Sequence, residues 1–478
     1  MNRKFVLLIL FLTFWGFRLS AENFEQFINR MNSLPESQRQ AVADSFMSSG
    51  HRFPFVEFDT LVHFVYNSTA QSVSMAGDAT GWNPNVPLAN ISGTKFWYFT
   101  TSYGKDARLD YKLVINGSNW IIDPNNPYTC TGGFGPNSEL RMPGYVVPPE
   151  ISYYSSIPHG TIKDTTFTSS ILGNTRPVRI YLPPGYPSGS EAYPVILFHD
   201  GPEYITLGNV NNILDYLISE HLMLPVIGIF VPPVDRTAEY AGSKIDKFTS
   251  FIVTELMPVI DVKYKTSKNP AKRALAGASD GGNISLYIGM KHPEQFGKIA
   301  AQSSDVINVI SQTFSSGPKL DLELFIDIGK YDIAQLIPMV HGLRDILQAR
   351  GYIYQFREWN EGHSWGNWKG HLRLPLLQFF PISSGLINPP VKPGSKLEQN
   401  RPNPFHGHTT IPISAPTGSK IELTLYDMTG KKLGTVFSGS ASAGENLIEY
   451  HHTYQAGAYI LRLKEDDIMG ESILITAL

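Results

Sequence analysis

Ser279 lies at the centre of residues 277–281, Gly-Ala-Ser-Asp-Gly, which match the pattern Gly-x-Ser-x-Gly. Residues 273–276 before it resemble a short strand, and residues 282–288 after it resemble a helix. In that context the pattern predicts a sharp strand-to-helix turn that exposes the serine hydroxyl as a nucleophile. Glycine-rich turns can also bind phosphate, but the segment has no P-loop lysine and no Gly-x-Gly-x-x-Gly. The pattern therefore favours a nucleophile over a nucleotide-binding loop.

His363 is the best candidate for the general base that a serine alcohol needs. It follows the strand-like residues 352–356 on a glycine-flanked loop. This is the position that the chain order Ser, Asp, His requires of the base. His371 is a nearby alternative, but it lies in a helix-like run.

The carboxylate that would orient the histidine should follow a strand between Ser279 and His363. Asp332 does so, after the strand-like residues 325–328. Its predicted role is to hold the imidazole in the correct tautomer and to stabilise the imidazolium. Asp327 is the alternative, although it lies inside that strand. Asp332 would also suit the N-cap of a helix predicted from residue 333 onwards.

An oxyanion hole requires backbone N–H donors aimed at the developing negative charge. We predict the N–H of Asp280, the residue after the nucleophile, as one donor. The other should come from the loop after the strand-like residues 195–198, where Gly201 is the donor because Pro202 has no N–H. His199 and Asp200 beside it are predicted to shape this loop rather than to form a second acid–base pair.

The elements that must position these residues are predicted over residues 158–381. Near-continuous apolar strands, at 179–182, 195–198, 226–230 and 324–328, alternate with helices that are marked by spaced apolar residues. This alternation predicts a mostly parallel sheet that is covered by helices on both faces.

The flanking segments have other patterns. Residues 22–57 are predicted to be a helical lead-in, and the period-two strands of residues 58–147 predict a small β-sandwich. Residues 382–395 are rich in Pro, Ser and Gly and predict a linker. Period two returns in residues 396–478, which predict a third, all-β domain.

The composition and the N-terminus limit the class of protein. The chain has 478 residues, 17% of them charged, and a formal net charge of −3, so nothing in its charge favours nucleic acid or an anionic membrane as a partner. Basic residues, an apolar run at 5–17 and a small-residue site predict that residues 1–21 are a secretory signal peptide. The run is short for a membrane anchor, and no later segment is apolar enough to cross a bilayer.

Neither a metal nor another cofactor is expected. Cys130 is the only cysteine, which excludes an intramolecular disulfide, and it is predicted to lie in a loop without a catalytic role. His406 and His408 form a pair that lacks a third metal ligand.

The central segment resembles the enterochelin esterase-like and esterase D-like α/β hydrolases, a carbohydrate esterase family 1-like group that includes feruloyl and acetylxylan esterases. The matching pieces are residues 179–186, 199–201, 236–240, 277–282 and 362–365. The resemblance implies a secreted serine carboxylic ester hydrolase, and we expect feruloyl or acetyl esters of polysaccharide as substrates. Hydrolysis of a trilactone siderophore is the alternative. A non-catalytic glycan-binding surface protein is a further alternative, which the intact Ser279, Asp332 and His363 disfavour.

Both flanks also resemble known modules. Residues 58–145 resemble the immunoglobulin-like module, similar to starch-binding-type carbohydrate modules, that precedes such esterases; the matches are at residues 77–82, 110–112 and 123–127. The module could bind glycan or form one wall of the active site. Residues 396–478 resemble the C-terminal sorting domains of type IX secretion, with matches at 397–405, 425–431 and 456–459. This resemblance implies the type IX machinery as a partner and a secreted or cell-surface location.

Overall fold

A computed structural model describes residues 22–187, 192–382, 395–427, 432–442, 444–454, 457–465 and 468–477. The predicted signal peptide and nearly all of the predicted linker lie outside these residues. In the described residues, no helix has the length and apolar character that a membrane span requires.

The lead-in consists of two helices followed by a strand. Helices α1 (Phe24–Ser33) and α2 (Glu36–Met47) precede strand β1 (Phe55–Glu57). Asn23 and Gln26 form a reciprocal capping box at the start of α1. The apolar side of α1 packs on the strands that follow it. Residues 22–57 were predicted to be helical, but the helical part ends at Met47 and β1 begins at Phe55.

The N-terminal sandwich, residues 55–141, begins with β1 and has two sheets. Its remaining strands are β2 (Leu61–Asn67), β3 (Val73–Gly77), β4 (Val86–Pro87), β5 (Ala89–Asn90), β6 (Phe96–Ser102), β7 (Arg108–Ile115), β8 (Asn119–Ile121), β9 (Thr129–Gly132) and β10 (Gly135–Arg141). One sheet has the order β1-β2-β6-β5, and the other is built around β7, which pairs with β3, β8 and β10. Cys130 lies in β9 and is buried, so its predicted loop position is wrong. Burial raises the pKa of its thiol to about 11, which keeps the thiol protonated at neutral pH.

The central domain, residues 161–379, is a mixed sheet covered by helices. Its strands are β11 (Thr161–Ser169), β12 (Asn174–Leu182), β13 (Val195–His199), β14 (Ile227–Val231), β15 (Arg273–Ala278), β16 (Lys298–Gln302), β17 (Glu323–Tyr331) and β18 (Ile353–Gly362). Their order is β11-β12-β14-β13-β15-β16-β17-β18. The pairs β11/β12 and β12/β14 are antiparallel, and the other neighbours are parallel.

Two apolar layers sandwich this sheet, because successive residues of a strand face opposite sides. In β13, Val195 and Leu197 join one core cluster, and Ile196 and Phe198 join the other. The covering helices are α3 (Gly201–Thr206), α4 (Val210–Ser219), α5 (Arg236–Tyr240), α6 (Ile245–Ser250), α7 (Met257–Lys263), α8 (Asp280–Lys291), α9 (Asn308–Ser316), α10 (Leu336–Ala349), α11 (Trp365–His371) and α12 (Arg373–Phe379). A π-helical segment joins α6 to α7.

The central sheet does not end at β18. Glu361 in β18 pairs in parallel with Arg108 in β7, so the sheet continues into the N-terminal sandwich. The Pro-rich stretch at 147–149 separates the two units along the chain, but it does not separate their strands in space. Nothing in the strand pattern of either unit predicted this junction.

The C-terminal β domain, residues 395–477, has the all-β form that its period-two pattern predicts. Its strands are β19 (Lys396–Leu397), β20 (His408–Ala415), β21 (Lys420–Asp427), β22 (Lys432–Ser440), β23 (Gly444–His451), β24 (Gly457–Glu465) and β25 (Ile468–Ala477). They form sheets of order β19-β20-β23 and β22-β21-β24-β25 around an apolar core of their own.

Candidate active site

Ser279 occupies a strained turn between β15 and α8. Its backbone has φ 57° and ψ −128°, a conformation that is uncommon for a residue with a side chain. A Cβ on Gly277 would lie 2.0 Å from the carbonyl oxygen of Gly281, so the strand and the helix approach as closely as only glycine allows. This geometry is the sharp strand-to-helix turn that the Gly-x-Ser-x-Gly pattern predicts, and we call it the elbow.

Asp332 and His363 meet at the same edge of the sheet. Asp332 follows β17 and His363 follows β18, and Tyr331 is in register with Gly362. His363 Nδ1 lies 2.7 Å from Asp332 Oδ1. The Asp332 side chain is 0% exposed and that of His363 is 18% exposed, so the carboxylate is shielded and the imidazole reaches the surface of the site. Helix α10 begins at Leu336, so Asp332 is not its N-cap.

The two alternative residues have other partners. His371 Nε2 bonds to Glu361 Oε1 at 2.6 Å, and the His371 ring stacks on Trp359 with a centroid separation of 3.7 Å. Asp327 lies inside β17, where it accepts hydrogen bonds from Trp359 Nε1 at 3.3 Å and from the Ser303 backbone N–H at 3.2 Å. Burial raises the pKa of Asp327 to about 6.

Gln302, which the sequence analysis did not single out, ties the elbow to the histidine loop. Its carbonyl accepts the Ser279 N–H at 2.9 Å, and its Nε2 donates to the Trp368 carbonyl at 3.0 Å. The Trp368 indole stands edge-on to the His363 imidazole, with the ring centroids 5.0 Å apart. A single glutamine at a strand end matches no motif, so only the three-dimensional contacts identify it.

A direct hydrogen bond between Ser279 Oγ and His363 Nε2 is not formed in the described part of the chain. Acyl transfer requires the serine proton to pass to that nitrogen. Catalytic hydrogen bonds are often long in structures without substrate and shorten when the substrate binds. The elbow and the Asp332–His363 pair are thus held at one sheet edge by separate contacts.

The predicted oxyanion donors both begin helices. Asp280 is the first residue of α8, and Gly201 is the first residue of α3. N–H groups in the first turn of a helix have no acceptor within that helix, so both can bind an external oxygen. Gly201 also packs against β14, where a Cβ would lie 2.4 Å from the Phe230 carbonyl carbon.

Arg236 links the two predicted donors. Its guanidinium binds both carboxylate oxygens of Asp200, at 2.9 and 2.8 Å, and one oxygen of Asp280 at 2.7 Å. It also donates to the Ala278 carbonyl at 3.2 Å. Asp200 precedes Gly201, so one side chain fixes the backbone at both donors. The sequence analysis included residues 236–240 in the resemblance but gave Arg236 no role, because its two acidic partners lie far from it along the chain.

His199 is a structural residue of this loop. It is fully buried, and its Nδ1 lies 2.8 Å from Ser285 Oγ. Burial lowers its pKa to about 3, so the imidazole is neutral in the working range of pH. Together with the Asp200–Arg236 ion pair, this agrees with the expectation that His199 and Asp200 shape the loop. Within the described residues, no cluster of three or more His, Cys, Asp and Glu side chains is placed to hold a metal ion.

Comparisons with known proteins agree with the fold of the central domain. Residues 169–378 match the protein-family model described as "Putative esterase". An uncharacterized protein of Bacillus subtilis, YjcH, is 28% identical over 226 residues, 44% of this chain and 94% of that protein. The endo-1,4-beta-xylanase/feruloyl esterase of Xylanibacter ruminicola is 31% identical over 264 residues, 52% of this chain but only 35% of that protein.

The fold is also similar to a solved structure. The enterobactin esterase of Shigella flexneri superposes with a TM-score of 0.60 at 21% identity, over 70% of this chain and 97% of that chain. That share is larger than residues 169–378 alone, so the similarity extends beyond the segment that the family model matches. The central domain therefore has an α/β hydrolase-like fold. With the match to the esterase family model and the similarity to a feruloyl esterase, this fold supports the assignment of the protein as a carboxylic ester hydrolase.

Proposed function

We propose that the protein is an exported serine esterase in which Ser279 is the nucleophile, His363 the general base and Asp332 the residue that orients His363. The observation that carries this proposal is the buried 2.7 Å hydrogen bond between Asp332 and His363, beside the elbow of Ser279. A shielded carboxylate on Nδ1 leaves Nε2 free to exchange protons with the serine and the substrate.

The proposed reaction has two acyl-transfer steps. Ser279 Oγ attacks the ester carbonyl while its proton passes to His363 Nε2. The ester C–O bond then breaks, and the alcohol leaves with the proton from His363. Water gives a proton to His363 and attacks the acyl-serine, which releases the acid and restores the Ser279 hydroxyl. The N–H groups of Asp280 and Gly201 are proposed to hold the oxyanion in both steps.

Hydrolysis of p-nitrophenyl acetate tests this assignment. We expect Ser279→Ala to abolish turnover, since the proposed acyl intermediate forms on the hydroxyl that this change removes. Ser316→Ala, which changes an exposed serine of α9, is the matched control and should keep wild-type turnover. Unchanged turnover in Ser279→Ala would refute Ser279 as the nucleophile, and no activity in the wild type would favour a non-catalytic surface protein instead.

For the substrate, we propose acyl esters carried by polysaccharide, with feruloyl or acetyl as the acyl group. The relationship to a xylanase/feruloyl esterase supports this proposal. Release of ferulate or acetate from xylan should be measured beside hydrolysis of a trilactone siderophore such as enterobactin. Activity on the trilactone alone would contradict the polysaccharide proposal and favour the siderophore alternative.

We also propose that residues 1–21 direct the chain to the export pathway and that residues 396–478 are a type IX sorting domain. The all-β fold and separate core of the C-terminal β domain are compatible with a removable tag. Deletion of 396–478 in a host with type IX secretion should leave active esterase inside the outer membrane. Unchanged delivery to the cell surface would contradict the sorting role.

A further inference from the structure

Contacts from the N-terminal sandwich converge on the strand ends that carry Asp332 and His363. Tyr103 packs edge-on against Tyr331, the residue before Asp332, with ring centroids 5.6 Å apart. Asn360, three residues before His363, donates to Asp106 Oδ1 at 2.6 Å. The sandwich therefore contacts the ends of both strands, β17 and β18, that lead to the proposed acid–base pair.

Arg108 is the centre of this junction. The side chain is fully buried, and its guanidinium makes three hydrogen bonds at once: to Glu139 Oε1 at 2.6 Å, to Asp110 Oδ1 at 2.5 Å and to Ser364 Oγ at 3.0 Å. Two of these partners belong to the sandwich, and the third follows His363 directly. The planar fork of arginine fixes all three directions together.

Two glycines beside His363 are pressed onto sandwich side chains. A Cβ on Gly362 would lie 2.1 Å from Asp78 Cγ, and a Cβ on Gly366 would lie 1.9 Å from Arg108 Cζ. Asp78 is itself fixed, because its Oδ2 accepts the Asp110 N–H at 2.8 Å. The backbone is thus supported by the sandwich on both sides of the histidine.

We propose that the N-terminal sandwich positions the general base, with Arg108 as the positioning residue that holds residues 361–366 so that His363 keeps its bond to Asp332. This inference rests on the proposed serine esterase function. Proton transfer requires the base to stay within about 0.5 Å of its productive place. Segment 361–366 lies at the end of β18, where the central sheet has no further strand of its own and the sandwich strand β7 takes over. The sandwich thereby contributes to catalysis by holding the loop of the general base in place.

Arg108→Lys tests this role while it keeps the buried positive charge. An ammonium group cannot make the three directed bonds of the fork, so segment 361–366 should lose its support. We expect kcat for p-nitrophenyl acetate to fall by about 10²-fold, the effect of a misplacement of about 1 Å, with little change in KM. Carbethoxylation of His363 by diethyl pyrocarbonate, followed by mass spectrometry, should become faster because the histidine is held less firmly.

Gly366→Ala disturbs the same contact from the side of the central domain. This second variant keeps the test decisive if Arg108→Lys does not fold. Its Cβ would meet the Arg108 guanidinium, so it should also lower kcat and expose His363 to the reagent. Gly297→Ala is the matched control. There a Cβ would lie 2.8 Å from the Pro270 carbonyl oxygen, at the edge of the sheet opposite the site. We expect it to lower the melting temperature without changing kcat or the labelling of His363.

The outcomes separate the two proposals. Lower kcat and faster labelling of His363 in Gly366→Ala or Arg108→Lys, with Gly297→Ala normal in both, support the positioning role. If a folded Gly366→Ala or Arg108→Lys loses only stability and keeps wild-type kcat and labelling, the positioning role is wrong while the esterase proposal stands. If Ser279→Ala retains activity in the same assay, the esterase proposal fails and the positioning role fails with it.

Discussion

Two buried carboxylates, Asp327 and Asp332, lie five residues apart, but only Asp332 contacts an imidazole. In Asp332→Asn, the amide nitrogen or the altered tautomer of His363 would break the proton path from Ser279. We expect kcat for an aryl acetate to fall by about 10⁴-fold, the loss found when a triad carboxylate becomes an amide, with KM little changed. Steady-state kinetics measure both quantities.

Asp327→Asn is the comparison for that variant, because Asp327 faces Trp359 and Ser303 rather than the histidine. It should retain most of the wild-type kcat. A large loss of kcat in Asp327→Asn together with normal kcat in Asp332→Asn would mean that Asp327, and not Asp332, orients the histidine.

The raised pKa of Asp327, about 6 in the folded protein, also predicts a pH-dependent stability. A folded pKa above the unfolded value of 3.8 means that the native state holds the proton more tightly. The stability that this residue contributes is therefore present below pH 4 and is lost as the pH rises through 6. The difference between the folded and unfolded pKa values of Asp327 makes this loss at most about 3 kcal/mol.

Asp327→Asn removes this titration and provides the measurement. Urea unfolding of both proteins at pH 4 and at pH 7 should show that the variant gains stability relative to the wild type as the pH rises. Groups that titrate elsewhere cancel in the difference between the two proteins. A difference in unfolding free energy that stays constant from pH 4 to pH 7 would argue against the raised pKa.

Arg236 offers a prediction about the oxyanion site. Arg236→Lys cannot bind Asp200 in bidentate fashion and reach Asp280 as well, so the N–H groups of Gly201 and Asp280 should move apart. We expect kcat/KM to fall by about 10-fold to 10²-fold, less than the loss of about 10²–10³ for a deleted donor. Affinity for a phosphonate transition-state analogue should fall in parallel, since both depend on the same donors.

Arg179→Lys is the matched control for Arg236→Lys. Arg179 pairs with Asp164 at 2.8 Å on the surface, where the two side chains are 36% and 75% exposed. Exposed pairs of this kind contribute little, so neither kcat/KM nor analogue binding should change. Equal effects in the two variants would mean that Arg236 has no special role at the site.

At the scale of the secondary structure elements, the junction of β15 and α8 depends on the absence of a side chain at Gly277. A Cβ there would meet the Gly281 backbone, which cannot rotate away. Overpacking against fixed atoms typically costs 1–3 kcal/mol, and here we expect Gly277→Ala to lower the free energy of unfolding by about 3 kcal/mol or more. Urea denaturation of the purified protein measures this loss.

Gly342→Ala, in α10, is the comparison for Gly277→Ala, because here alanine should raise the stability. No atom lies within 4 Å of a Cβ built at this exposed position. Alanine should therefore stabilise the helix by about 0.5–1 kcal/mol, the usual gain over glycine in a helix interior. Destabilisation of similar size in both variants would show that the close approach at Gly277 does not cause the loss of stability in Gly277→Ala.

Local patterns predicted the alternating strands and helices of the central domain, because each apolar strand is buried on both faces and each helix has one apolar side. They also placed Asp332 and His363 after strands, and parallel strands end at one edge of a sheet. The same patterns could not predict Gln302 or Arg236, which act through contacts with residues that lie far from them along the chain, such as Ser279, Asp200 and Trp368. The antiparallel pairing of β12 with β14 depends on topology, which strand periodicity does not encode.

At the scale of the whole molecule, the sheet junction and the separate cores predict different degrees of dependence between the units. The N-terminal sandwich and the central domain share a continuous sheet through Glu361 and Arg108. Among the described residues, no residue after Phe380 belongs to the apolar cores of these two units. The C-terminal β domain has a core of its own, formed by residues between Leu397 and Ala477. The sandwich should therefore be inseparable from the esterase, and the C-terminal β domain should be dispensable for it.

A chain that ends at residue 382 tests this dispensability in the purified protein. It loses no residue of the cores that support Ser279, Asp332 and His363, so kcat and KM should equal those of the full chain. The melting temperature of the esterase should change by less than about 3 °C, the shift that about 1 kcal/mol causes in a domain of this size. A chain that begins at residue 158 removes the partner strand of β18 and the Arg108 contact, and it should lose activity. If both shortened chains behaved alike, the continuous sheet would have no functional consequence, because β7 extends the catalytic sheet whereas the C-terminal strands pack on their own core.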